Sequence, residues 1–367
     1  MKMKTKMTLK KVLCVILAVA TAVVGIPFSA IAASKETVNF GILSDTHYFA
    51  ESSMGETAED KQEFVDMMLL NNSTTGLAPE LLDAALANLA LKAKNGEIEF
   101  VLMPGDLTRN AEYAGHVEQA EKLAKFEAET GKPVYVVPGN HDYGVDCETN
   151  LDDFTRVYAD FGYNEALSTL EGTASYTVDL NEKYRLIALD SNDPTKSTED
   201  GMSLEKIEWV HAETKKAKED GKYPILMMHH NLLDHLPVQR ILSRNFIVRF
   251  HYTTATLFAD WGIKLVFTGH EHCSDATSYT TPSGNVIYDF ATTALTMYPL
   301  QYRYFTVTDS EIKYEAKTVD SIDTDALVAQ TAGYEQEHID LMNAGLNLTH
   351  KPNKDGSSYR IYFRIKN

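Results

Sequence analysis

The chain has 367 residues, 44% hydrophobic and 23% charged, a balance that supports a sizeable buried core and excludes a disordered or low-complexity protein. Its formal charge of −18 turns away duplex nucleic acid and anionic membrane, which recruit basic surfaces. Three cysteines are too few for a fold built on disulfides.

Five lysines within residues 2–11 precede an apolar run, Val12–Ile26; Pro27 breaks it, and Ala30, Ile31 and Ala32 form a small-residue cleavage site. Residues 1–32 therefore read as a secretory signal peptide, and the 15 apolar residues are short for a bilayer crossing. The mature chain is expected to be secreted or held at the cell envelope, without stable membrane insertion. It carries 29 basic and 52 acidic residues, a formal charge of −23. Cys147 and Cys273 remain in it and are expected as two separate thiols.

From residue 37 onward, apolar runs alternate with amphipathic stretches. "VNFGILSDTH" reads as a buried strand that ends at Asp45 and His47. Residues 51–76 are polar and aperiodic, a long loop. Pro79–Lys94 reads as a helix, with Pro in its first turn and Leu81, Leu82, Ala85, Leu86 and Leu89 on one stripe. "EFVLMPGD" ends at Asp106, a helix is expected over Ala111–Thr130, and "VYVVPGNH" ends at Asn140 and His141. "ASYTVDL" and "YRLIALDS" read as strands, Ser203–Glu219 as a helix, and "PILMMHH" and "KLVFTGHEH" as strands ending at His229, His230, His270 and His272. "NVIYDFATT", "YRYFTVTDS" and "IKYEAKTV" close a β-rich half. Residues 319–367 read as an extension, a helix or helix pair followed by strand-like "SSYRIYFRIKN". Near-continuous apolar strands suit sheets covered on both faces. The mixture of alternation and hairpins implies two sheets packed face to face with outer helices.

Polar residues thus recur at five strand ends, where ligands of α/β proteins bind. Asp45, His47, Asp106, Asn140, His229, His270 and His272 offer oxygen or imidazole nitrogen and no thiolate. That donor set suits two divalent ions such as Mn, Fe or Zn better than a structural zinc. Residues i and i+2 of a strand share a face, so Asp45 with His47, and His270 with His272, are each expected to aim at one centre. Each motif alone has an ordinary reading, a polar turn for "GNHD" or a satisfied core histidine for His229. Their recurrence at five strand ends does not.

In that order, "SDTH", "GDLTR", "GNHD", "MMHH" and "GHEH" resemble the five-block signature of the calcineurin-like metallophosphoesterases, over residues 40 to about 318. The resemblance implies an α/β four-layer αββα sandwich, a domain over residues 37–318, and two metal ions at the strand ends. Carried over, Asp45, His47 and His272 hold one metal, Asp106 bridges, and Asn140, His229 and His270 hold the other. His229 is taken rather than His230 because the family's ligand is the first of its paired histidines. His141, which is not a ligand in the family, meets the substrate and stabilises or protonates the leaving group. The implied reaction is hydrolysis of a small phosphoester by a hydroxide between the metals.

Departures narrow the branch. Arg109 stands where purple acid phosphatases have Tyr, Asp142 where nucleotidases and phosphoprotein phosphatases usually have Glu, and fewer than 50 residues follow the sandwich. What remains is similar to the cyclic-nucleotide phosphodiesterase-like branch, so a phosphodiester is favoured. A secreted phosphomonoesterase or nucleotidase is the second reading, a non-catalytic surface-binding protein the third. "FGYNEALSTLEGTASYTVDL" resembles two-domain bacterial members in which a helical C-terminal domain follows. Tyr48 and Tyr143 directly follow site residues and are candidates for the pocket wall. Arg240, Arg244 and Arg249 fit a solvated helix face better than a phosphate site. His116, His211, His235 and His251 read as surface or core.

Overall fold

Alternation along each strand divides its side chains between two cores, and the architecture follows from that division. In a computed structural model of the chain, the described residues are 37–53, 55, 57, 75–195, 200–236, 239–297, 300–308, 310–319 and 360–364. The chain divides into Met1–Thr37 and Val38–Asn367, and the second unit is described here. The expected signal peptide lies outside the described residues. So do most of the 51–76 loop and the helices expected within 320–359.

In chain order the first strands are β1 (Val38–Ile42), β2 (Phe100–Pro104), β3 (Val134–Val137), β4 (Ser168–Thr169), β5 (Tyr176–Asp179), β6 (Tyr184–Leu189) and β7 (Tyr223–Met228). They are followed by β8 (Leu265–Thr268), β9 (Asp275–Thr280), β10 (Val286–Ala291), β11 (Gln301–Val307), β12 (Glu311–Thr318) and β13 (Arg360–Arg364). The main helices are α1 (Ala78–Lys94), α2 (Tyr113–Thr130), α3 (Leu151–Val157), α4 (Leu204–Glu219) and α5 (His251–Trp261). One sheet has the order β13-β12-β11-β1-β2-β3, the other β4-β5-β6-β7-β8-β10-β9. β1, β2 and β3 run parallel, as do β6, β7, β8 and β10, with antiparallel strands at the flanks. Arg360–Arg364, from the strand-like chain end, pairs antiparallel with β12.

Inner residues of both sheets share one core: Phe40, Phe100, Leu102 and Phe305 from the first meet Leu186, Met227, Phe267 and Phe290 from the second. Phe40 stacks on Phe100 at 5.0 Å and meets Phe267 edge-on at 5.2 Å. The alternate residues face outward. Val101 and Met103 pack under α1 and α2 with Leu81, Leu89 and Leu123. Ile187, Leu226 and Val266 pack under α4 and α5 with Val210 and Phe258. The result is the expected αββα order of layers. Neither α3 nor α5 was legible as an element, and β9 carries a half-exposed polar pattern that hides its strand character.

Local signals explain the helix ends. Pro79 sits in the first turn of α1, Glu80 lies near its N-terminus, and Lys92 and Lys94 lie near its C-terminus, matching the helix dipole. Ser203 caps α4 by accepting from the Lys206 N–H. These helices cross over between parallel strands, so the C-terminal ends of β1, β2, β3, β7 and β8 all open toward one edge of the sandwich.

Candidate metal centre

All seven expected ligands lie just beyond those five strand ends. Asp45 and His47 follow β1, Asp106 follows β2, Asn140 follows β3, His229 follows β7, and His270 and His272 follow β8. Two groups form that could each hold a metal ion: Asp45, His47, Asp106 and His272, and Asp106, His229 and His270. Within each group the candidate ligand atoms lie within 4.8 Å of one another. Asn140 joins the second through its Oδ1, 3.1 Å from His229 Nε2. Asp106 belongs to both, with Oδ2 3.2 Å from His229 Nε2 and 3.7 Å from His47 Nε2.

The pairwise contacts test whether cations fit. His229 Nε2 faces His270 Nδ1 at 2.9 Å, and His47 Nε2 faces His272 Nε2 at 3.1 Å. His229 Nδ1 lies 2.9 Å from the Pro104 carbonyl, which can only accept, so neutral His229 turns an Nε2 lone pair toward the cluster. Lone pairs and carboxylates converging in a buried site call for positive charge. Burial pushes the His229 pKa down, but the Asp106 carboxylate, together with Asp45 and the Pro104 carbonyl, raises it to about 9. His47, where burial dominates, falls to about 3. The oxygen and nitrogen donors fit two borderline or hard divalent ions.

The backbone is what aims these groups. Asp45, His47, Asp106, His270 and His272 all have positive φ, between 42° and 66°. Such conformations cost about 1–3 kcal/mol each for ordinary residues and cluster at functional sites; Asp and His tolerate them better than most. This corrects the strand-alternation argument. β1 stops at Ile42 and β8 at Thr268, so the i, i+2 rule of strands does not apply beyond them. His270 and His272 consequently diverge, one to each group, while Asp45 and His47 stay together.

The sequence holds a second signal: Gly105, Gly139 and Gly269 each immediately precede a candidate ligand. A Cβ on Gly139 would overlap Asp106 Oδ1 and N, and one on Gly269 would overlap Asp45 Oδ2 and Ser44 Oγ. Each block's backbone therefore touches another block's ligand. Asp142 completes the support by accepting from the Thr108 N–H at 2.8 Å and the Gly139 N–H at 2.7 Å. Burial, reinforced by Asp106, raises its pKa to about 7.

His141 stands apart from the ligands. Its backbone N–H donates to Asp106 Oδ1 at 3.0 Å, while its half-buried ring lies edge-on to His47, centroids 5.1 Å apart. His230 is turned to Ser191, Nδ1 to Oγ 2.9 Å. Tyr48 and Tyr143 do not line the site: both are buried in the core beneath α1, α2 and α3, and the Tyr143 hydroxyl donates to Asp190 Oδ2 at 2.6 Å. Arg240 and Arg249 pair with Asp234 and Asp200, and Arg244 is exposed. His116 and His235 are buried, His211 exposed and His251 half-buried. Cys147 and Cys273 are free thiols.

The fold and this centre agree with the sequence comparisons. The chain belongs to the calcineurin-like phosphoesterase family, whose model matches residues 38–274. Membership makes it a metal-dependent phosphoester hydrolase by class. Among solved structures it is similar to a dimetal phosphatase from Danio rerio, with a TM-score of 0.53 at 11% identity over 77% of this chain and 97% of that one. A weaker likeness is to GAP50, the anchor in the inner membrane complex of Plasmodium, with a TM-score of 0.46 at 11% identity over 78% of this chain and 86% of that one. No curated protein matches the sequence significantly.

Proposed function

We propose that this chain is a secreted phosphodiesterase that hydrolyses small phosphodiesters with two divalent metal ions, Mn, Fe or Zn. The observation that carries the reading is Asp106, one carboxylate shared between two convergent ligand groups with no member missing. Asp45, His47 and His272 would hold one ion, and Asn140, His229 and His270 the other. When bound, such ions would supply an activated water at neutral pH and neutralise charge on the phosphoryl group.

The chain's residues do the rest. Strained, buried loops hold the ligands in place before substrate arrives, so little reorganisation is left for the reaction itself. In the net reaction a water oxygen bonds to phosphorus, the bond from phosphorus to the leaving oxygen breaks, and that oxygen gains a proton. His141 is half-buried beside the centre and is suited to stabilise the leaving oxygen. The preference for diesters rests on Asp142 and Arg109, which set the chain apart from nucleotidase-like and purple acid branches. Secretion rests on residues 1–32.

A panel of phosphomonoesters and phosphodiesters tested on metal-loaded protein checks the reading. Diester hydrolysis at least tenfold faster than monoester hydrolysis is the expected result. A monoester preference would move the chain to the phosphomonoesterase reading, and no hydrolysis of either class would remove the enzyme reading.

A further inference from the structure

The proposed role of His141 leaves open which of its nitrogens carries the proton. Asn110 answers this. It lies in the turn between β2 and α2, four residues beyond Asp106, with its carboxamide 3.0 Å from His141 Nδ1. The two ends of a carboxamide have the same shape, so their neighbours decide which is which. The end facing His141 also lies 2.8 Å from the Arg109 carbonyl oxygen, which only accepts, so that end is the NH2. The other end lies 3.2 Å from Arg109 Nη1, which only donates, so it is the oxygen. An NH2 donating to Nδ1 requires a lone pair there. The neutral imidazole then carries its proton on Nε2.

The turn that presents Asn110 is fixed independently of this contact. Ala111, buried, has φ 61°, a strained value for a residue with a Cβ. Its N–H donates to Thr108 Oγ1 at 3.2 Å and its carbonyl accepts from the Thr149 N–H at 3.2 Å. The Asn110 N–H donates to Glu112 Oε2 at 2.7 Å. Asp142, next to His141, accepts from both the Thr108 and Gly139 N–H groups and so ties the Asn110 turn to the His141 loop. Arg109 is itself seated near Glu112, at 3.8 Å, and 6.0 Å from the Phe49 ring centroid.

We infer that Asn110, oriented by Arg109, is a positioning residue that holds His141 as the neutral Nε2–H tautomer. In that tautomer Nε2–H is the hydrogen-bond donor that His141 offers to the leaving oxygen. The Nδ1–H tautomer would set two donors face to face, and turning the amide would set its NH2 against the Arg109 guanidinium. A carboxylate at position 110 would do the reverse, because it only accepts.

This inference rests on the function proposed above, and its test separates the two. The full chain, labelled with 15N-histidine and loaded with Zn2+, is examined by NMR at alkaline pH. Wild-type His141 is expected to show a bare Nδ1 and a protonated Nε2. Asn110→Asp is expected to move the proton to Nδ1, a directional change that a merely structural residue would not cause. In kinetics, Asn110→Ala is expected to lose about tenfold on a dialkyl phosphodiester, part of the roughly hundredfold or more that a positioned donor contributes, and less than threefold on a p-nitrophenyl diester. A protonated Nδ1 in wild type, a tautomer unchanged in Asn110→Asp, or equal kinetic losses on both esters would overturn the inference. Absence of turnover in wild type would instead sink the functional reading, while the NMR result would still decide the tautomer.

Discussion

Each ligand is expected to fail in its own way. Asp106 is shared, so Asp106→Asn weakens both ion sites and should reduce metal affinity by more than the roughly 10–100-fold that loss of an outer-shell partner costs. Isothermal titration with Zn2+ checks this; unchanged affinity would contradict it. His229 and His230 are adjacent but face different partners, Asp106 and Ser191. His229→Ala should lose one of two bound ions, whereas His230→Ala should retain both, as counted by elemental analysis. His141→Ala should lower kcat with both ions retained, and the loss should be larger for esters with poor leaving groups than for p-nitrophenyl esters. Ion loss in that variant would make His141 a ligand.

At the scale of elements, the loops after the strands matter more than the strands. Gly139 lies against the Asp106 backbone and carboxylate, and Gly105 lies against Gly139, where a Cβ would stand 2.6 Å from its nitrogen. Gly139→Ala should therefore spread the two loops, cost about 1–3 kcal/mol of stability, and impair metal binding although no ligand changes. Chemical denaturation with and without metal measures both effects; wild-type values would contradict the close approach.

The loop after β7 has a separate fastening at His235, whose Nδ1 lies 3.0 Å from Asp275 Oδ2 and whose Nε2 lies 3.2 Å from Asp289 Oδ2. Burial alone would lower the His235 pKa, but Asp289, with Asp275, raises it to about 9. A folded pKa above the unfolded value of about 6.5 gives stability that is full below that value and is lost as pH rises through about 9. His235→Ala should cost about 3 kcal/mol at pH 6 and less at pH 10, because Asp289 loses its buried partner. An equal cost at both pH values would show the contact to be packing alone.

For the molecule as a whole, the layers and the convergent candidate donors were legible because polar residues end long apolar runs at five places. Asp45, His47, Asp106, Asn140, His229, His270 and His272 could be named from those interruptions and from the order of the five motifs. What was not legible depends on packing between distant segments. The left-handed backbone of five ligands arises because each loop is pinned against the next, and no local propensity announces it. Tyr48 and Tyr143 looked like pocket residues by position, yet the helices α1, α2 and α3 offer them an apolar core that the pocket cannot. Asn110 carries no local sequence signal, because its contact to His141 crosses between two motifs.

The central claim is that two ions share Asp106 and that hydrolysis needs both. Stoichiometric addition of Mn2+ or Zn2+ to fully chelated protein, with phosphodiester turnover followed at each step, tests it most directly. Activity should be absent in the stripped protein and should rise to its plateau only as the second ion per chain binds. Full turnover without metal, or a plateau at one ion per chain, would contradict it.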